Sequence, residues 1–168
     1  MEHSLRIIRT KTKSSHNHYL EDSVLLSANK EKINFINLNI YDPSRIKLLY
    51  RASEHKLSPI AFHKFCDNIS GTLVLVKTNY GKILGGFTKM LWKPPNNDSQ
   101  YYYKADKKEN TFIFSLDSLE RLNYINHNRA LYCSKMCGPS FGDTLKIGGY
   151  SSNNSALSLN GLVQDSQR

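Results

Sequence analysis

No stretch of this sequence approaches the roughly 18–20 consecutive apolar residues that a helix needs to cross a bilayer, so a membrane-spanning helix is not expected. The N-terminal MEHSLRIIRTKTKSS also lacks the apolar run of a secretory signal. Its Arg6, Arg9, Lys11 and Lys13 give a faint likeness to an organelle transit peptide, but Glu2 and weak amphipathicity argue against a mitochondrial address. Cysteine is scarce. Cys66, Cys133 and Cys137 form an odd set without framework spacing, which argues against a disulfide scaffold and favours a reducing, intracellular setting. Acidic residues are short too: 14 against 23 Lys and Arg, a formal net charge of +9. The basic residues are scattered, except in the N-terminal arm and at Lys104, Lys107 and Lys108, so the chain does not show the concentrated stripe of a nucleic-acid binder. No repeat of fixed period is present.

What is there suits one globular domain with a real core. Residues 1–22 are polar and basic and read as a flexible segment. The spacing of Val24, Leu25, Leu26, Ile33, Phe35, Ile36 and Leu38 predicts one or two short helical turns. Ser44 is placed to cap a helix starting at Arg45, with Ile46, Leu49 and Tyr50 at i, i+3 and i+4. SPIAFHKFC (58–66) predicts a second helix, with Ser58 as N-cap and Pro59 at the first helical position. It would turn Phe62, Phe65 and Cys66 inward and His63 and Lys64 outward. After Gly71 the period changes. TLVLVKT (72–78), a turn at NYG and KILGGFT (82–88) predict a hairpin whose first strand is covered on both faces. TFIFSLD (111–117), ALYCS (130–134), LKIGG (145–149) and SALSL (155–159) predict further strands. The expected fold is α+β, a β-sandwich of two antiparallel sheets flanked by short helices.

A search for chemistry finds little. Cys133 and Cys137 lie near His127, but a fourth zinc ligand would have to come from His63 or Cys66 on a distant helix. Cys66 and His63 do not form a convincing nucleophile–base pair, because they face opposite ways in the expected helix. GPSFG (138–142) fits neither phosphate-binding glycine pattern, and the strand-like DTLKIGG after it offers no helix N-terminus. Asp67, Asp106, Asp117 and Asp143 fall at strand ends and turns. Tyr101, Tyr102 and Tyr103 beside Lys104 and Lys107 could stack bases, though a tyrosine-packed edge strand explains them as well. No catalytic, cofactor or metal site is expected.

The residues then point to a family. LLYRASEHKLSPIAFHKFCDNISGTLVLVKTNYGKILGGFTKMLW (48–92) resembles the opening half of a TLDc domain, and TFIFSLD, ALYC and GPSFGDTLKIGG match later landmarks in order. The resemblance covers about residues 23–163, leaving a basic segment at 1–22 and a polar tail at 164–168. It implies a β-sandwich without an established reaction. It also implies a protein partner, with vacuolar-type proton ATPase subunits foremost since several animal members bind that enzyme, and a part in oxidative-stress resistance. Work in the cytoplasm or at the surface of acidic organelles would follow. The matched positions with polar or aromatic groups are Tyr50, Arg51, Ser53, His63, Asp67, Lys77 and Trp92, and Gly85, Gly86, Gly138, Gly142, Gly148 and Gly149 are expected to set backbone geometry. Plain packing roles compete: Arg51 could pair with Asp67, and Trp92 could close the core. Two departures stand out: SEHKL has no glycine where the family turns between helices, and GLVQDSQR lacks the aromatic that ends the family's last strand. The rival readings are a redox or peroxide-handling enzyme using a cysteine and, more remotely, a basic nucleic-acid-binding module.

Overall fold

TLVLVK forms strand β3 (Thr72–Lys77), buried at every position but the last. A strand so apolar needs cover on both faces, and the fold supplies it. The computed structural model describes residues 4–10, 20, 23, 25–40, 46–122, 126–148 and 157–159. Around β3 lies a six-stranded antiparallel sheet, built from β1 (Ser4–Thr10), β2 (Ile46–Arg51), β3, β4 (Ile83–Thr88), β6 (Phe112–Ser115) and β7 (Glu120–Leu122) in the order β2-β1-β3-β4-β6-β7. Alternate residues divide its two faces. Leu73, Leu75, Ile83, Phe87, Phe112 and Phe114 meet helix α1 (Lys30–Asn39) through Ile36 and Ile40, with Leu20, Leu25 and Leu26 alongside. Ile7, Tyr50, Val74, Val76 and Ile113 face the opposite layer.

That opposite layer is in two pieces. One pairs β5 (Tyr101–Lys104) with β8 (Leu131–Ser134); the other pairs β10 (Leu145–Ile147) with both β9 (Ser140–Phe141) and β11 (Leu157–Leu159). Short helices α2 (Ala52–His55) and α3 (Pro59–Cys66) lie beside it. The expected α+β arrangement of antiparallel sheets with short helices is therefore present, the second sheet being split.

The layers are locked at two adjacent glycines. Tyr50, Ile7, Val74, Gly86 and Ile113 form one continuous row across five strands. A Cβ on Gly86 would lie 2.4 Å from the Phe141 ring, so the row is open where the facing layer inserts its aromatic side chain. On the other face, a Cβ on Gly85 would meet the Phe114 ring at 2.3 Å and the Val74 carbonyl at 2.6 Å. Gly138 abuts the Ile147 carbonyl in the same way, while Gly142 and Gly148 have positive φ; Gly149 lies outside the described residues.

Two expectations are corrected. Residues 4–10 are not a flexible lead-in; they form β1, inserted between β2 and β3. SLRIIRT has too few apolar positions to advertise a strand, and what holds it is pairing with residues 46–51 and 72–77, remote in sequence. The helix expected from Arg45 is instead β2 over Ile46–Arg51. Ile46, Leu49 and Tyr50 suit a helical period, but Ile46, Leu48 and Tyr50 suit an alternating one equally, and the neighbouring β1 decides between them. The pairing shifts between Ile7 and Ile8, which face Tyr50 and Leu48 and leave Leu49 as an extra residue. Such a bulge turns two successive side chains to one face. Leu49 and Tyr50 accordingly join one cluster while Ile46 and Leu48 join the other.

Two substitutions test this architecture. Gly86→Ala should lower the unfolding free energy by about 1–3 kcal/mol, the usual range for overpacking, measured by urea denaturation; an unchanged midpoint would mean that Phe141 is not seated there. Lys56, in the SEHKL turn between α2 and α3, has φ +68° and ψ 143°, a region that costs a side-chain-bearing residue about 1–3 kcal/mol. Lys56→Gly should therefore raise the denaturation midpoint despite the added chain entropy of glycine.

Candidate functional site

Helix α3 brings His63, Asp67 and Trp92 together. Ser58 Oγ accepts from the Ala61 N–H at 3.1 Å and Pro59 opens the helix, as its sequence predicts. His63 does not point outward, contrary to the helical-face expectation. Its Nδ1 lies 2.7 Å from Asp67 Oδ1, and its Nε2 lies 3.0 Å from each of the Ser134 and Cys137 carbonyl oxygens. The 134–137 segment covers that side of α3, which the sequence could not show. All three partners accept, so the ring meets them all only when both nitrogens carry N–H. Next to this clasp, Trp92 closes the core. Its Nε1–H donates to Thr72 Oγ1 at 2.8 Å, and its ring meets Phe62 and Phe141 edge-on at 5.4 and 5.7 Å.

Tyr50, Arg51 and Ser53 form a second group, where β2 enters α2. Tyr50 is fully buried, and its hydroxyl donates to the Lys56 carbonyl at 2.7 Å. Arg51 Nη1 donates to Glu54 Oε1, not to Asp67, whose Oδ1 is engaged by His63. Ser53 is exposed. Lys77 is exposed as well and joins neither group, since it ends β3 about 17 Å from Thr72 at ~3.3 Å per residue. Of the seven matched residues, then, Tyr50 and Trp92 hold the interior, His63 and Asp67 tie segments together, the half-buried Arg51 pairs with Glu54, and only Ser53 and Lys77 are exposed.

The cysteines do not gather. Cys66 and Cys133 are buried and Cys137 is half-buried. Burial pushes all three thiols up; the Asp67 charge adds to this at Cys66, and Lys146 only partly offsets it at Cys137. A reactive thiol needs the opposite shift. Among the described residues, no group of three or more His, Cys, Asp or Glu is placed to hold a metal ion.

A different cluster lies on the surface. In the β5–β8 pair, Tyr102, Leu131 and Cys133 turn to the core, while Tyr101, Tyr103 and Tyr132 share the outer face. Tyr101 stacks on Tyr132 with centroids 5.2 Å apart, and Tyr103 meets Tyr132 edge-on at 5.2 Å. The Arg129 guanidinium sits 3.8 Å from the Tyr103 ring centre and Lys146 Nζ 4.4 Å from that of Tyr132. Asp143 ties them: it accepts from the Tyr103 hydroxyl at 2.6 Å and pairs with Arg129 at 2.9 Å and Lys146 at 3.1 Å. Burial raises the Asp143 carboxyl, but the Tyr103 and Lys146 hydrogen bonds and the two nearby cations outweigh it and hold the group below its ordinary value. The tyrosine run drew attention in the sequence with Lys104, yet Lys104 turns away to donate to the Leu91 carbonyl. Tyr132 of ALYC and Asp143 and Lys146 of GPSFGDTLKIGG lie in matched motifs, yet nothing in the sequence ties them or Arg129 to Tyr103, because only tertiary pairing brings them together.

These features define an α+β domain of stacked antiparallel sheets, with Tyr50, His63 and Trp92 helping to hold its elements together. A family model for the TLDc domain matches residues 19–167, and the chain belongs to that family. No curated protein and no solved structure matches the chain. Among the described residues, no helix is long and apolar enough to cross a membrane.

Burial raises the Tyr50 hydroxyl from 10.0 to about 12. The stability this represents is fully present below pH 10 and is lost as pH climbs to about 12, because the unfolded chain ionises first. Tyr50→Phe should cost about 1 kcal/mol at neutral pH through the lost hydrogen bond, yet show a shallower alkaline decline in urea denaturation. An equally steep decline would place the alkaline sensitivity in other groups.

Proposed function

We propose that this TLDc domain is a non-catalytic protein-interaction module that binds and regulates the vacuolar-type proton ATPase and thereby contributes to oxidative-stress resistance. The observation that carries the reading is the family match over residues 19–167. The ATPase enters through the resemblance to animal family members that bind it. The three raised thiols favour this reading over a peroxide-handling enzyme, and the scattered charge favours it over a nucleic-acid binder. The module would then work at the cytoplasmic surface of acidic organelles.

Affinity capture with the full chain, from lysate that retains assembled ATPase, tests the proposal. ATPase subunits should be enriched over a mock capture, and the added domain should alter ATP hydrolysis by purified acidic-organelle membranes. Capture without any ATPase subunit would overturn the assignment of the partner.

A further inference from the structure

We propose that the outer face of the β5–β8 sheet is the domain's docking surface, and that its occupant is an acidic segment of a partner protein. An apolar side chain of that segment rests on Tyr101 and Tyr132, and its carboxylates meet Arg129 and Lys146. The inference deepens the reading of the domain as a protein-interaction module and rests on it.

A two-stranded sheet with one face in the core ordinarily presents polar side chains to water on the other. Here that face carries three tyrosine rings in mutual contact, and Tyr101 is 62% exposed. Contiguous exposed aromatic surface marks interaction sites, and tyrosine and arginine are the residues most enriched where binding energy concentrates. The face is also held in place before any partner arrives. Asp143 pins Tyr103, Arg129 and Lys146, and both cations are stacked on rings. Side chains fixed in advance lose little entropy on binding.

Charge selects the occupant. The face has two cations against one carboxylate, in a chain of net charge +9. A segment bearing carboxylates neutralises that surplus. A nucleic-acid strand fits less well, because its closely spaced phosphates would run past Asp143, which is half-exposed between the two cations. An extended peptide places side chains of one face about 6.6–7 Å apart, so it can set an apolar group on the rings and a carboxylate beside a cation while avoiding Asp143.

Fluorescence anisotropy with the full chain and a labelled Glu–Phe peptide, a repeat of Glu-Ser-Phe-Ser that sets Glu and Phe on one face when extended, tests the proposal, with the matching Lys–Phe peptide and labelled oligo-dT as comparisons. Wild type should bind the Glu–Phe peptide in preference to both. Tyr101→Ser should weaken that binding on the order of tenfold, as loss of an anchoring aromatic does, and Arg129→Gln several-fold. Lys82→Gln, on the exposed β3–β4 turn, should leave it within about twofold, the small effect of removing one distant surface charge. Unfolding midpoints of the variants verify that each is folded. Equal binding by wild type and both face variants, no binding of the Glu–Phe peptide, or Tyr101-dependent binding of oligo-dT alone would each overturn the assignment. The same variants separate this inference from the ATPase reading. If Tyr101→Ser and Arg129→Gln capture ATPase subunits as wild type does, the surface is wrong and the module reading stands. If wild type captures none while peptide binding depends on Tyr101, the named partner is wrong and the surface stands.

Discussion

The seating of Phe141 on Gly86 is the contact on which the rest of the structure depends. A sheet covered on one side by α1 still exposes the row of Ile7, Tyr50, Val74 and Ile113, and that row is stable only under a second layer. Phe141 reaches it through the gap left by a missing Cβ and abuts Trp92, which is tied in turn to Thr72 on β3. Sheet, α3 and the second layer thus meet around one pair of aromatic rings. Any side chain at residue 86 must displace the Phe141 ring.

Much of the matched motifs is engaged in packing and in contacts between elements. AFHKFCD places Phe62 against Trp92 and buries Cys66, and it aims His63 at two carbonyls of the 134–137 segment. LYR supplies Tyr50 to the core and Arg51 to a local pair with Glu54. His63 and Trp92 join elements distant in sequence, while Tyr50 and Arg51 bond within a few residues of themselves. The tyrosine face of β5–β8 takes Tyr132 from ALYC and Asp143 and Lys146 from GPSFGDTLKIGG, and adds Tyr101, Tyr103 and Arg129, which no matched motif contains.

Legibility followed the range of the forces involved. Helix α3 was readable because its cap and its Pro59 act within one turn, and β3–β4 because an apolar run, a turn and a second run are contiguous. β2 was misread because its apolar residues fit two periods, and its pairing with β1, not its own composition, chose the extended one. β1 was missed because seven residues with two arginines become a strand only between two partners. His63 was assigned to the wrong side since helical spacing says which residues share a face, but not whether another segment covers that face.

By itself, then, the sequence determined the α+β class, the hairpin around residues 72–88, the capped helix at 59–66 and the motif series of the family, all of which rest on local periodicity, turn chemistry and capping. Tertiary structure alone decided the placement of β1, the bulge that turns Tyr50 inward, the clasp on His63 and the meeting of Tyr101, Tyr103 and Tyr132 with Arg129, Lys146 and Asp143. These depend on pairings between segments remote along the chain, whose register is set by how the layers fit together.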